Sequence, residues 1–177
     1  MTIRRLLAST ALMSTFALFA CATSAQDVAI DYEYTQKPQV DFSPMPKGAM
    51  KLSTFSDTRA AEESHMIGSV KISEPVATIV QDALTQAFIA GGAKLVDSDQ
   101  SLTLNGEITE ASFTESSGEY DVIIRTKVTL MSGSRSAFNT VIFGRAKGSS
   151  VEEAARAALD KLVNSLIWDD YFLMEVI

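Results

Sequence analysis

The chain is poor in the residues that most often carry chemistry. It has one Cys and one His in 177 residues, which excludes an intramolecular disulfide and a zinc site of the usual Cys/His kind. Four Pro and nine Gly exclude a Pro/Gly-rich low-complexity chain. Basic charge is also short: the net charge is −7, and a surface for nucleic acid must be basic to meet the phosphates. Long apolar runs are missing beyond the first twenty residues, so no later window is fit to span a bilayer. What remains is 46% hydrophobic and 21% charged, the composition of one globular domain long enough to bury a core.

The start of the chain sets the expected compartment. Arg4 and Arg5 are followed by an apolar stretch from Leu6 to Ala20, broken only by Ser and Thr. At about 15 residues this is shorter than the ~20 a transmembrane helix needs, and it reads as a bacterial secretory signal. It ends in Leu18-Phe19-Ala20-Cys21, which resembles the lipobox of bacterial lipoproteins, with Phe19 bulkier than the pattern prefers. The resemblance implies acylation of Cys21 and cleavage before it, so residues 1–20 are a signal peptide. An ordinary secretory cut after Ala22 or Ala25 is the alternative. Ala22, in place of an Asp after the Cys, points to the outer membrane. Removing residues 1–20 leaves a net charge of −9, so membrane attachment is expected through the lipid and not through a basic patch.

Residues 21–47 read as the lipidated N-terminus and an extended tether. Val28, Ile30, Tyr32 and Tyr34 alternate with polar or small residues, a period of two that predicts a short strand. Pro38, Pro44 and Pro46 forbid a helix. This arm is either a docking strip or a cover lying on the domain.

Residues 48–177 read as a single α+β domain. A strand over 49–55 leads into a long loop, 56–72. A helix follows over 73–90, with Ser73 as N-cap and a stripe of Val76, Ile79, Val80, Ala83, Leu84, Ala87 and Phe88. Gly91 and Gly92 stop it, and Lys94–Asp97 reads as a short strand parallel to the first. Three long strands then form an antiparallel meander turning at Ser116-Ser117-Gly118 and Ser132-Gly133-Ser134. The buried set changes from even (Leu102, Leu104, Ile108) to odd (Ala111, Phe113), which predicts a bulge near 108–111. A last helix begins at the capping box Ser150-Val151-Glu152-Glu153, with ion pairs expected for Glu152–Arg156 and Arg156–Asp160. The apolar tail from Trp168 is a final strand or a packed extension. The expected architecture is a two-layer sandwich: a mixed, mainly antiparallel sheet with two helices packed on one face.

With these elements placed, residues 48–168 resemble the YajG-type family of bacterial lipoproteins. The resemblance rests on Asp57-Thr58-Arg59, Ile67-Gly68, the helix from Val76 to Leu84, Gly91-Gly92 and the strand Lys94-Leu95-Val96. It implies an envelope lipoprotein and assigns no catalytic residues.

No catalytic constellation emerges from the residues. His65 is the only imidazole, and no Gly-x-Ser-x-Gly elbow accompanies it. Asp97 and Asp99 lack the Gly and distant Glu of a calcium loop, and Asp169-Asp170 is a polar break beside Trp168. No cofactor or metal is expected. Asp57, Arg59, His65, Ile67 and Gly68 are the candidate partner-binding loop, with an exposed sheet edge as a second docking feature. The other, preferred reading makes Asp57 and Arg59 a local structural pair, with Asp57 bonding loop N–H groups and Arg59 neutralising Glu62 or Glu63. The expected role is a non-enzymatic accessory module facing the periplasm, with an envelope protein as partner. An auxiliary of lipid or lipopolysaccharide transport is the alternative; it needs an apolar cavity between sheet and helices, or an exposed apolar patch.

Overall fold

A computed structural model of the chain describes residues 27–45 and 47–177. Cys21 and the signal peptide, on which the expectations of cleavage and acylation rest, lie outside the described residues.

The scaffold is a sheet in the spatial order β1 (Met50–Leu52), β5 (Leu102–Ser116), β6 (Glu119–Ser132), β7 (Arg135–Gly148). Strands β5, β6 and β7 are the meander. Two short strands, β1 and β2 (Ser56–Asp57), pair in parallel with β5 along its other edge. The β5–β6 register slips between Ile108 and Glu110, leaving Thr109 as the extra residue. The alternation of side chains then restarts one residue out of phase, which is why Ala111 joins Leu104 and Ile108 on the buried face.

Two helices cover that face. Helix α1 (Val76–Ala90) buries all seven residues of the expected stripe, plus Ala77. It starts differently from the sequence expectation. Ser73 caps nothing; Pro75 is the N-cap residue, and the Val76 N–H donates to the Ser64 carbonyl at 2.9 Å. A loop carbonyl thus replaces the side-chain cap. At the other end Gly92 takes φ of +81°, and Ala93 N–H reaches the Phe88 carbonyl while Gly92 N–H reaches Ile89, a Schellman closure. Helix α2 (Val151–Ile167) starts at Ser150, whose hydroxyl accepts from the Glu153 N–H at 3.1 Å. Its alanines allow unusually close approach: a Cβ on Gly144 of β7 would meet the Ala158 carbonyl oxygen at 1.7 Å.

Three segments differ from expectation. Lys94–Asp97 contributes a parallel bridge, Leu95 to Met50, and no longer ladder. The 56–72 segment holds β2, a 3-10 turn over Ala61–Glu63, and a hairpin of β3 (Met66–Ile67) with β4 (Val70–Lys71). The tail is a third helix, α3 (Asp170–Val176), capped by Asp169, which accepts from the Tyr171 and Phe172 N–H groups. Phe172 is fully buried and packs on Phe88 and Phe138, at ring-centroid distances of 5.9 and 5.5 Å. Phe42 meets Phe88 from the opposite side at 5.4 Å, so one aromatic row ties the arm, α1, α3 and β7 together.

The arm keeps its period of two without becoming a strand. Val28 bridges Ile72, Ile30 is buried, and Tyr32 and Tyr34 are half-buried against the core. The arm's backbone partner is a side chain: Gln86 of α1 accepts from Tyr34 N–H at 2.9 Å and donates to the Tyr32 carbonyl at 3.3 Å. Tyr32 donates its hydroxyl to Asp160 of α2 at 2.8 Å, so Asp160 is not the partner of Arg156. Glu152 does pair with Arg156. The arm is a cover across the helical layer, held by polar contacts to both helices.

Candidate functional site

The 56–72 segment closes the β5 edge. Strand β2 pairs with β5 only as far as Ile108. Beyond that point, where the bulge falls, irregular groups take over the β5 carbonyls. Thr58 donates both its N–H (3.0 Å) and its hydroxyl (2.7 Å) to Ile108 O. Gly68 N–H reaches Ala111 O at 3.0 Å, and Arg59 Nη1 reaches the same oxygen at 3.3 Å. Gly68 also turns the hairpin with φ of +57°, and a Cβ there would meet the Phe113 ring at 2.8 Å.

Arg59 is the hub of this region. Its Nε donates to Asp57 Oδ1 at 3.0 Å and its Nη2 to Asp57 Oδ2 at 2.7 Å, a forked pair. Nη2 also donates to Glu63 O at 2.7 Å, and Nη1 to Met66 O at 2.9 Å besides Ala111 O. The guanidinium has five N–H donors, and all five are engaged within the protein. The side chains of Arg59 and Asp57 are only 8% and 10% exposed. Burial alone would raise the Asp57 pKa; the side-chain and backbone hydrogen bonds from Arg59, and its charge, more than offset this and hold the carboxyl below its ordinary value. Arg59 neutralises Asp57 and not Glu62 or Glu63. A group so completely satisfied organises its neighbours and has no donor left for a partner.

The other candidates divide by exposure. Ile67 is buried in the core. His65 is half-buried, and its carbonyl accepts from Ile72 N–H, so it belongs to the hairpin's frame. Gly68 and Ser69 alone present the hairpin tip to solvent. Asp97 and Asp99 are exposed, and Asp99 sits at φ of +58° in a turn. Asp169 is the α3 cap. Among the described residues, no group of three or more His, Cys, Asp or Glu side chains is placed to hold a metal ion, and no helix is long and apolar enough to cross a membrane.

Sequence reasoning missed two features. One is the pairing of the arm with Gln86 and Asp160, which no local pattern signals. The other is a set of large apolar side chains left in solvent: Trp168 at 50% exposure, Tyr171 at 72% and Met174 at 63%. The helical spacing of Phe172 and Val176, four apart on the opposite face, was the available clue.

No protein-family profile and no curated protein sequence matches the chain. Solved structures do. A Xanthomonas campestris protein assigned to the family DUF330 superposes with a TM-score of 0.64 at 15% identity, over 81% of this chain and 93% of its own. A hypothetical protein of Chlamydia trachomatis matches at TM-score 0.50 and 8% identity, over 73% of this chain and 95% of its own. A putative lipoprotein of Caulobacter crescentus is matched at TM-score 0.46 and 8% identity, over 56% of this chain and 82% of its own. At these identities the likeness is one of fold: the α+β sandwich described above is shared with the Xanthomonas protein.

Proposed function

We propose that the chain is a lipid-anchored envelope lipoprotein of the YajG type, held in the outer membrane by acylated Cys21 and facing the periplasm. The observation that carries this reading is the position of the sole Cys, at the end of the apolar run in Leu18-Phe19-Ala20-Cys21. The acidic body supports it, since a chain of net −9 after cleavage has no electrostatic means of holding an anionic leaflet. One acyl chain holds weakly and two or more hold stably, so a multiply acylated Cys is a sufficient anchor.

Its role on this reading is that of a non-enzymatic accessory module with an envelope protein as partner. The support is chemical: the most reactive-looking pair in the sequence, Asp57 and Arg59, spends its hydrogen bonds on the loop's own backbone. The test is palmitate labelling and membrane fractionation of wild type and Cys21→Ser. Label on the wild type alone, with the variant released to the soluble fraction, is the expected result. An unlabelled wild type, or a variant that stays with the membrane, overturns the reading.

A second reading, an auxiliary of lipid or lipopolysaccharide transport, has one observation in its favour. The space between sheet and helices is filled by Leu104, Ile108, Val122, Ile124 and Leu159, each at 1% exposure or less, so it leaves that reading to the apolar surface of α3. Lipid capture that is lost in Met174→Asp would support it.

A further inference from the structure

The main sheet has one closed edge and one open edge. The β5 side is covered by β1, β2 and the groups around Arg59, and Leu95 bridges Met50 beyond β1. Strand β7 has no such cover. It pairs with β6 on one side, and among the described residues its backbone groups find no partner outside β6. Helix α2 lies over its inner face, with Ala158 on Gly144, and bonds to none of its backbone. Every second residue of β7 therefore turns an N–H and a C=O away from β6, unpaired. Such an edge is ordinarily guarded by charge, Pro or a bulge. Here the guards stand near the ends, as the extra residue Ala137 and the basic Arg145 and Lys147. Residues 139–144 between them (Asn-Thr-Val-Ile-Phe-Gly) carry neither charge nor Pro, and on the outer face Val141 and Phe143 are 52% and 51% exposed.

The side-chain pattern of β7 fits β7 itself. Two identical strands joined about a two-fold axis normal to the sheet run antiparallel, and residues opposite each other share a face, so the axis must pass through a residue. An axis at Val141 leaves Phe143 opposite Asn139. An axis at Phe143 sets Val141 against Arg145, and one at Arg145 sets two guanidinium groups together. An axis at Ile142 matches every outer pair of the regular stretch: Val141 of each copy lies against Phe143 of the other, and Arg145 against Asn139. A β-branched residue opposite an aromatic one is a favourable cross-strand pair, and like charges opposite each other are not. Arg145 is already paired with Asp121 of β6 at 2.6 Å, so it brings no free charge to the seam. We propose that β7 is a homodimer edge, joining two copies of the chain antiparallel about Ile142 into one continuous sheet. The pairing needs neither acylation of Cys21 nor a different envelope protein. In a pair anchored to one bilayer the two copies lie head to tail, with their strands along the surface.

The test is sedimentation velocity of the purified protein in detergent, with the N-terminus unaltered so that any association through it is common to every variant. The wild type should dimerise with a Kd on the order of 10 μM. Val141→Glu combined with Phe143→Glu gives each new carboxylate a basic neighbour on β6, Lys127 and Arg125, so the fold is kept. In the dimer it sets carboxylate against carboxylate at both central pairs and should weaken association about a hundredfold. Val141→Lys combined with Phe143→Glu sets ammonium against carboxylate at both pairs in this register alone, and should hold Kd within about tenfold of wild type. Hydrogen exchange checks the seam without a variant: the β7 amides that point away from β6 should slow as the wild-type concentration rises through Kd, with the β5 amides unchanged. A wild type still monomeric at about 100 μM, a dimer that the paired carboxylates leave intact, a Lys/Glu variant as weak as the Glu/Glu one, or β7 amides indifferent to concentration would each overturn the proposal.

Discussion

Replacing Arg59 with alanine removes the forked partner of Asp57 and the donors to Glu63 O, Met66 O and Ala111 O in one step. Water can reach some of those carbonyls, but the Asp57 carboxylate, 10% exposed, is left without its cation. Breaking a pair this buried by removing one member costs about 3–5 kcal/mol. Asp57→Asn should cost less, about 2 kcal/mol, because the guanidinium keeps its three carbonyl acceptors. Lysine at 59 keeps the charge but brings three donors on a flexible stem in place of a rigid fork of five, so Arg59→Lys should still lose about 2 kcal/mol. Because the two side chains share one interaction, the double alanine variant should cost less than the two single alanine variants together.

The assay is urea unfolding of the purified protein, followed by circular dichroism. Its pH dependence supplies the sharper check. The folded pKa of Asp57 is depressed, so its contribution is fully present above the unfolded value of about 3.9 and is lost as pH falls through the lower folded value. Asp57→Asn cannot titrate. The stability gap between wild type and this variant should therefore be constant from pH 7 to about pH 5 and close below pH 4. An Arg59→Ala cost under about 1 kcal/mol, or a gap that does not close in acid, would refute the assignment of Arg59 as the buried organiser of the β5 edge.

Three other outcomes follow from packing. Gly144→Ala sets a methyl against the Ala158 backbone, which cannot yield as a side chain would, and should cost about 3 kcal/mol or more in thermal unfolding. Thr126 is fully buried on the inner face of β6 with its hydroxyl unpaired, so Thr126→Val should raise stability by about 1 kcal/mol; a loss of stability would show that the hydroxyl has a partner. Tyr32→Phe removes the bond to Asp160 and should speed hydrogen exchange of the Tyr34 amide, with the β6 amides unchanged.

What the sequence disclosed, and what it concealed, follows the range of the interactions. The bulge at Thr109 was legible because one extra residue inverts the alternation of every side chain after it. The α1 stripe and the Ser150 cap were legible for the same reason, since both are periodic or local. The start of α1 was not, because its first N–H is satisfied by Ser64 O, twelve residues upstream. The tail was ambiguous between strand and extension because a short apolar run fits either period; burial of Phe172 and Val176 four residues apart decides for a helix. At the loop, Asp57 and Arg59 could be recognised as a pair from their spacing. That Arg59 also serves Met66 O and Ala111 O depends on how the hairpin folds back on β5, and no local pattern encodes that.

If Cys21 is acylated as proposed, the fold also sets where each surface of a single copy stands relative to the lipid. The described chain begins at Asp27, whose carboxylate pairs with Lys71 at 2.8 Å, and Val28 lines a depression with Val70, Tyr120 and Ser149–Glu152. This is the end of the sandwich where β6 begins, β7 finishes and α2 starts. Six residue steps from Cys21 to Asp27 span at most about 20 Å. Trp168 lies at the other end of α2, and seventeen helical residues carry it about 25 Å further along the domain. An anchored body standing on its Val28 end therefore presents Trp168 and α3 away from the lipid, toward whatever shares the compartment. Peeling the arm would change that distance, because Phe42, packed on Phe88, would become the new point of attachment and the free tether would grow to twenty-one residue steps, about 70 Å. In a chain anchored at Cys21, the contacts of Tyr32, Tyr34 and Gln36 with the helices would thus fix the reach of the domain as well as covering it.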